Sequence, residues 1–227
     1  MKLLDGLYGY IWPGRGNNCN SYLIAGEVLT LIDPGHLVNE FREPCLDHLV
    51  SEIKKDGFEV KDLGLIINTH GHPDHSQANA ALAEKSGARV AMHQAEEEHI
   101  RQMSKLWGQR QPDPTVDFYL EEGDLSLGKS NKIDLRIYHT PGHSPGSVCC
   151  YWPERKALIT GDLIFAMSVG RTDFPGGDFR LLRESIDRMA QLDVECLLPG
   201  HMGVVQGKDK VQKNFTYIKM AFPLPNA

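Results

Sequence analysis

Four times in this 227-residue chain an apolar, strand-like run stops at a turn that carries a side chain able to hold a metal ion. The stretches are "LIINTHGHPDH" at 65–75, "YHTPGHS" at 138–144, "LITGD" at 158–162 and "LLPGH" at 197–201. Taken singly, three of them are ordinary turn chemistry, because Gly and Pro serve bends and Asp tolerates them. The first is not. Three of the chain's ten histidines, with an aspartate, fall within six positions there, and stacking three imidazoles and a carboxylate at a strand end has no packing value. Imidazole and carboxylate donors without thiolates suit zinc, iron or manganese.

Spacing supports that reading. His70 and His72 are two apart, so in an extended segment both point to the same side and can reach one ion. Asp74 and His75 fall in the turn and the first helical residues, where the chain changes direction, and can face a second position. The candidates are His70, His72, Asp74, His75, His143, Asp162 and His201. They suffice for two ions: three histidines for one, an aspartate and two histidines for the other, and Asp162 as a bridging carboxylate. Two-metal hydrolytic sites hold their ions roughly 3.5–4 Å apart and clamp attacking and leaving oxygens together.

The rest of the chain reads as strands and helices in two halves of similar grammar. "NSYLIAGEVLTLIDPG" is a strand hairpin broken at "AGE". Leu46, Leu49, Val50 and Ile53 lie at helical spacing, with Gly57 as the stop. "LGLIINTH" is a buried strand, 74–86 a helix closed by Gly87, and "ARVAMH" another strand. The stretch 95–120 begins helical and turns loop-like, and reads as an insertion that overhangs a site. In the second half "IDLRIYHTPGHSPGSVCCYW" is strand, turn, strand; "KALITGDLIF" and "VECLLPGH" are strands; "FRLLRESIDRMAQLD" and "KDKVQKNFTYIKM" are helices. The expectation is a single domain over 1–227 with a frayed tail at about 221–227. His93 and His139 read as packed or hydrogen-bonded strand residues, and His36, His48 and His99 as surface residues. Tyr8, Tyr10, Trp12 and Trp107 are candidates for a substrate mouth or for packing.

Composition narrows the partners. A formal charge of -6 argues against nucleic acid or an anionic membrane, since both need a basic face. No apolar run reaches about 18 residues and the N-terminus lacks an export pattern, so the cytoplasm is expected. Five cysteines, odd in number and without CxxC spacing, read as free packed thiols. Cys149 and Cys150 are adjacent, so on a strand they point to opposite faces. Nothing in the sequence sets an oligomeric state.

"THGHPDH", "TPGHSPGS", "TGD" and "PGH", in this order, resemble the metallo-β-lactamase superfamily over nearly the whole chain, and "LIDPG" fits as well. The resemblance implies an α/β fold: a four-layer αββα sandwich of two mixed β-sheets flanked by helices, with metals at one edge. It implies two zinc ions, with iron or manganese as alternatives. His70, His72 and His143 would hold the first, Asp74, His75 and His201 the second, and Asp162 both. Asp33 matches a buried residue that supports the histidine loop. "GRTDFPGGD" at 170–178 is similar to the glyoxalase II branch, the hydroxyacylglutathione hydrolases. There Arg171 is a substrate candidate, unless it pairs locally with Asp173. The branch also has a further helical region that contacts glutathione, whereas this chain has one short helix after His201.

The expected activity is therefore that of a metal-dependent hydrolase acting on a small-molecule thioester through a metal-bound hydroxide, with Asp74 orienting the nucleophile. The rival is a mononuclear iron persulfide dioxygenase, which resembles the same branch and uses the first site alone. Flavin-dependent diiron oxidases of the superfamily have a carboxylate where this chain has His72. A metal-binding scaffold would be expected to have lost a ligand, and all seven are present.

Overall fold

The computed structural model describes residues 1–106 and 116–223, Leu106 by its backbone alone. The chain forms two compact units, one of residues 1–120 and 126–133, the other of 121–125 and the residues from 134 onward.

The first unit is built on a seven-stranded sheet whose spatial order follows the chain. Strands β1 (Lys2–Leu4), β2 (Leu7–Tyr10), β3 (Ser21–Ile24) and β4 (Leu29–Ile32) pair antiparallel, and the expected hairpin sets Leu23 opposite Leu31. From β4 the sheet continues parallel through β5 (Leu63–Ile67), β6 (Arg89–Met92) and β7 (Phe118–Tyr119). Parallel neighbours need crossovers, which helices supply. Helix α1 (Cys45–Lys55) joins β4 to β5 and buries Leu46, Leu49 and Ile53 in one cluster with Leu31, Ile66 and Val90. Gly57, at φ +88°, turns the chain away after it.

Between β5 and β6 the single helix expected over 74–86 is two: α2 (Pro73–Ser76) and α3 (Asn79–Ser86). The backbone partners explain the break. A continuous helix would use the carbonyls of Asp74 and His75, but the Cys19 N–H donates to the first, and the Gly35 N–H and Asn68 Nδ2 donate to the second. The Ala78 N–H donates instead to the Gly35 carbonyl. The loops at 19 and 35 thus draw the histidine motif out of helical register. After β6, α4 (Gln94–Leu106) carries the helical part of the 95–120 stretch. Residues 107–115, with Trp107 and the expected overhang, lie outside the described residues.

The second unit holds the first part of β8 (Gly123–Leu127), nearly all of β9 (Ile133–His139), β10 (Val148–Trp152), β11 (Ala157–Gly161), the short pair β12 (Ile164–Phe165) and β13 (Ser168–Val169), α5 (Phe179–Met189), β14 (Cys196–Pro199), β15 (Val205–Gln206) and α6 (Lys208–Ala221). Its six-stranded sheet runs β15-β14-β11-β10-β9-β8. On β10 both Cys149 and Cys150 are fully buried, so both strand faces are covered, as the adjacent pair implied. Leu182, Ile186 and Met189 of α5 pack with Leu158, Leu197, Phe215 and Ile218. Asp178 caps α5 by accepting the Leu181 N–H at 3.0 Å. The β12–β13 hairpin has no counterpart in the sequence reading, because two-residue strands leave no periodic signal. Helix α6 runs through Ala221, and residues 224–227 of the expected frayed tail lie outside the described residues.

Candidate metal centre

Each unit contributes one cluster of ligand-capable side chains. In the first, the buried run of β5 delivers Asn68 and Thr69 and then His70. Pro73 at the first position of α2 holds His72 extended, at ψ 145°, so His70 and His72 project to one side. His70 Nε2 and His72 Nδ1 come within 3.0 Å, and the His70 and His75 ring centroids lie 4.0 Å apart. His75 Nε2 is 3.8 Å from Asp74 Oδ2.

Asp33 anchors this cluster. Its carboxylate accepts from the Thr69 N–H at 2.7 Å, the Thr69 hydroxyl at 2.6 Å and His75 Nδ1 at 2.9 Å. It occupies a left-handed conformation, φ 52°, that non-glycine residues seldom adopt. With Nδ1 engaged, the His75 lone pair sits on Nε2, toward Asp74. Asp33 therefore supports the histidine loop as the resemblance implied. Two further supports were not foreseen. Glu96 of α4, fully buried, accepts the Gly71 N–H at 2.8 Å, between the two histidines. Asn17 Nδ2 donates to Asp74 Oδ2 at 2.9 Å. These pairs are 25 and 57 positions apart, and no local spacing signals them.

In the second unit β11 and β14 are parallel neighbours, with Gly161 opposite Pro199. Their C-terminal ends therefore place Asp162 and His201 side by side. His201 Nε2 lies 3.5 Å and His143 Nε2 3.6 Å from the same oxygen, Asp162 Oδ2. His143 Nδ1 is 2.6 Å from the Arg171 carbonyl oxygen, and the His201 ring meets Phe165 edge-on.

The donor sets fit metal ions. Tetrahedral ligands at zinc distances of about 2.0–2.1 Å sit about 3.4 Å from one another, wider than a hydrogen bond. Separations of 3.5, 3.6 and 3.8 Å match ligands arranged around a cation, whereas His70 Nε2 and His72 Nδ1, at 3.0 Å, stand at hydrogen-bond distance. The set contains only imidazole and carboxylate.

The side chain of Arg171 pairs locally. Its Nε and Nη2 donate to Asp173 at 2.9 and 2.6 Å, and its guanidinium lies 4.2 Å from the Phe174 ring centroid. The hydrogen bond from Arg171 holds the Asp173 carboxyl below the usual carboxylate range. His139 Nε2 lies 2.9 Å from the Pro145 carbonyl and His93 Nδ1 accepts from the Ala95 N–H, structural roles like those expected. His36, His48 and His99 are half-buried rather than fully at the surface.

A model of the metallo-beta-lactamase superfamily matches residues 14–201. The chain belongs to this superfamily. Among curated relatives, the "Probable metallo-hydrolase" of Methanocaldococcus jannaschii is 34% identical over 216 residues, 91% of this chain and 96% of its own length. The hydroxyacylglutathione hydrolase GloC of Haemophilus influenzae is 29% identical over 175 residues, 74% of this chain and 76% of its own. The crystal structure of TTHA1623 in a di-iron-bound form superposes with a TM-score of 0.68 at 30% identity, covering 93% of this chain and all of that one. The α/β architecture of mixed sheets flanked by helices is that of metallo-beta-lactamase-fold proteins. The superfamily binds a dinuclear metal site, and this chain carries His/Asp clusters able to hold metal ions. Among the described residues no helix is long and apolar enough to cross a membrane.

Proposed function

We propose that this protein is a metal-dependent hydrolase of small-molecule thioesters, similar to hydroxyacylglutathione hydrolases, and that the two clusters act as one dinuclear centre. His70, His72 and His143 would hold one ion, Asp74, His75 and His201 the other, and Asp162 both. The observation that carries the reading is the convergence of His143 and His201 on one oxygen of Asp162, in a chain that keeps a full second donor set. The relative named as a hydroxyacylglutathione hydrolase supports the thioester class. When bound, zinc ions lower the pKa of water to about 7 and polarise an acyl carbonyl. Zinc is our assignment, with iron the alternative raised by the relative crystallised with two irons.

The chain's own groups then divide the work. Asp74, its carboxylate steadied by Asn17, orients the attacking water by accepting a hydrogen bond from it. Asp33 and the Arg171 carbonyl fix the proton positions on His75 and His143 and leave each Nε2 as the ligand atom. The exposed Arg171 guanidinium is the candidate for an anionic group of the substrate. The cytoplasm is the proposed location.

Protein expressed without metal bias is expected to hold between one and two ions per chain by elemental analysis, and His201→Ala to lose mainly the second. A wild-type content below about 0.2 ion per chain would sink the dinuclear reading.

A further inference from the structure

We propose that residues 170–171 form a main-chain strap that sets the ring of His143 and the position of Asp162 for metal binding, whatever the Arg171 side chain contacts. The inference rests on the dinuclear reading above and deepens it. A carbonyl oxygen only accepts, so at 2.6 Å the Arg171 carbonyl requires the proton on His143 Nδ1. The lone pair is then left on Nε2, the atom that faces Asp162 Oδ2 at 3.6 Å.

The approach that makes this contact admits no side chain at position 170. A Cβ on buried Gly170 would stand 1.7 Å from the Asp162 carbonyl oxygen and 3.2 Å from His143 Nδ1. The strap thus lies against two of the three ligand residues of its unit at once. The β12–β13 hairpin brings it there. Between those strands Met167 takes a left-handed conformation, φ 59°, and its N–H donates to Asn214 Oδ1 at 2.6 Å. Asn214 Nδ2 in turn donates to the Phe165 carbonyl at 3.0 Å, so one buried amide on α6 pins the end of β12 and the turn that follows it. The Arg171 side chain is two-thirds exposed and engaged with Asp173. In "GRTD" the glycine permits the approach and the next carbonyl orients the ligand.

The test loads the full-length protein with zinc or cadmium and reads histidine ring nitrogens by ¹⁵N NMR, with His143→Gln assigning the His143 signals. The expected result is a slowly exchanging proton on His143 Nδ1 and metal on Nε2. Gly170→Ala should weaken zinc binding by about 10- to 100-fold, the usual scale for losing a ligand's hydrogen-bond partner. Asn214→Ala, which leaves every ligand and the strap's own sequence intact, should weaken it in the same direction. Arg171→Ala keeps the carbonyl and should leave zinc affinity and the Nδ1 proton signal unchanged. Should Gly170→Ala not fold, the wild-type spectrum and Asn214→Ala decide. Metal on His143 Nδ1 in a protein that binds its ions, or a loss in Arg171→Ala equal to that in the other variants, would overturn the strap. A wild-type protein that binds no metal would overturn the dinuclear reading beneath it.

Discussion

Asp162→Ala is expected to lose thioester turnover and the greater part of both ions together. On the dinuclear reading this carboxylate is the group that both ions share, and His143 and His201 already converge on its Oδ2. Of the seven proposed ligands only Asp74 and Asp162 carry negative charge, so the alanine removes half of the formal charge that offsets two divalent cations. Without it the first ion would keep three neutral imidazoles and the second two imidazoles with one carboxylate. Without bound ions, the pKa of the water rises from near 7 to that of bulk water, and the hydroxide available at neutral pH falls by orders of magnitude. Turnover should drop on the order of 10³-fold or more, the scale seen when a central catalytic group is removed. His201→Ala, by contrast, should leave the first ion in place. Metal content and turnover near wild type in Asp162→Ala, with native circular dichroism, would show that the carboxylate bridges nothing.

The largest effect on stability is expected at Asp33. Its substitution by Ala strands three buried donors at once: the Thr69 N–H, the Thr69 hydroxyl and His75 Nδ1. Thr69 and His75 are at most 1% exposed, so water does not replace the lost acceptor. Each unsatisfied buried donor costs about 1–3 kcal/mol. Alanine is also less tolerant than aspartate of the left-handed backbone that Asp33 adopts. A loss of about 4 kcal/mol or more is expected, a large share of the roughly 5–15 kcal/mol available to a folded protein. Urea unfolding of the metal-free protein is the right measurement, because bound ions add their own stabilisation. Asp33→Asn keeps one acceptor and should fall between the two. A loss below about 1 kcal/mol in Asp33→Ala would mean that the network is replaced locally.

What could be read from the amino-acid order follows a physical division. The proposed ligands stand directly after strand-like runs, and parallel neighbours such as β11 and β14 deliver their ends side by side, so Asp162 and His201 were legible together with their strands. The projection of His70 and His72 to one side was legible from their spacing, since period two survives in an extended segment held by Pro73. The groups that orient the ligands are another matter. Glu96 beneath Gly71, Asn17 beside Asp74 and the Arg171 carbonyl on His143 are contacts across 25 to 57 positions, made by residue types common on any surface. The break between α2 and α3 was hidden likewise, because it arises where loop N–H groups compete for two helix carbonyls. Asp33 was legible only through resemblance, since a single "IDPG" is also an ordinary turn.

The central claim, thioester hydrolysis by a centre that uses both donor sets, is tested most directly by two assays on one preparation. Zinc- and iron-reconstituted protein would be given S-lactoylglutathione, with release of free thiol as the readout, and glutathione persulfide, with oxygen uptake as the readout. The expected result is thiol release that disappears in Asp74→Ala, with no oxygen consumption in either metal form. A dioxygenase needs one redox metal with open positions and a facial set of three ligands, and gains nothing from Asp74, His75 and His201. Rapid oxygen uptake by the iron form, with no thioester cleavage by either form, would contradict the claim.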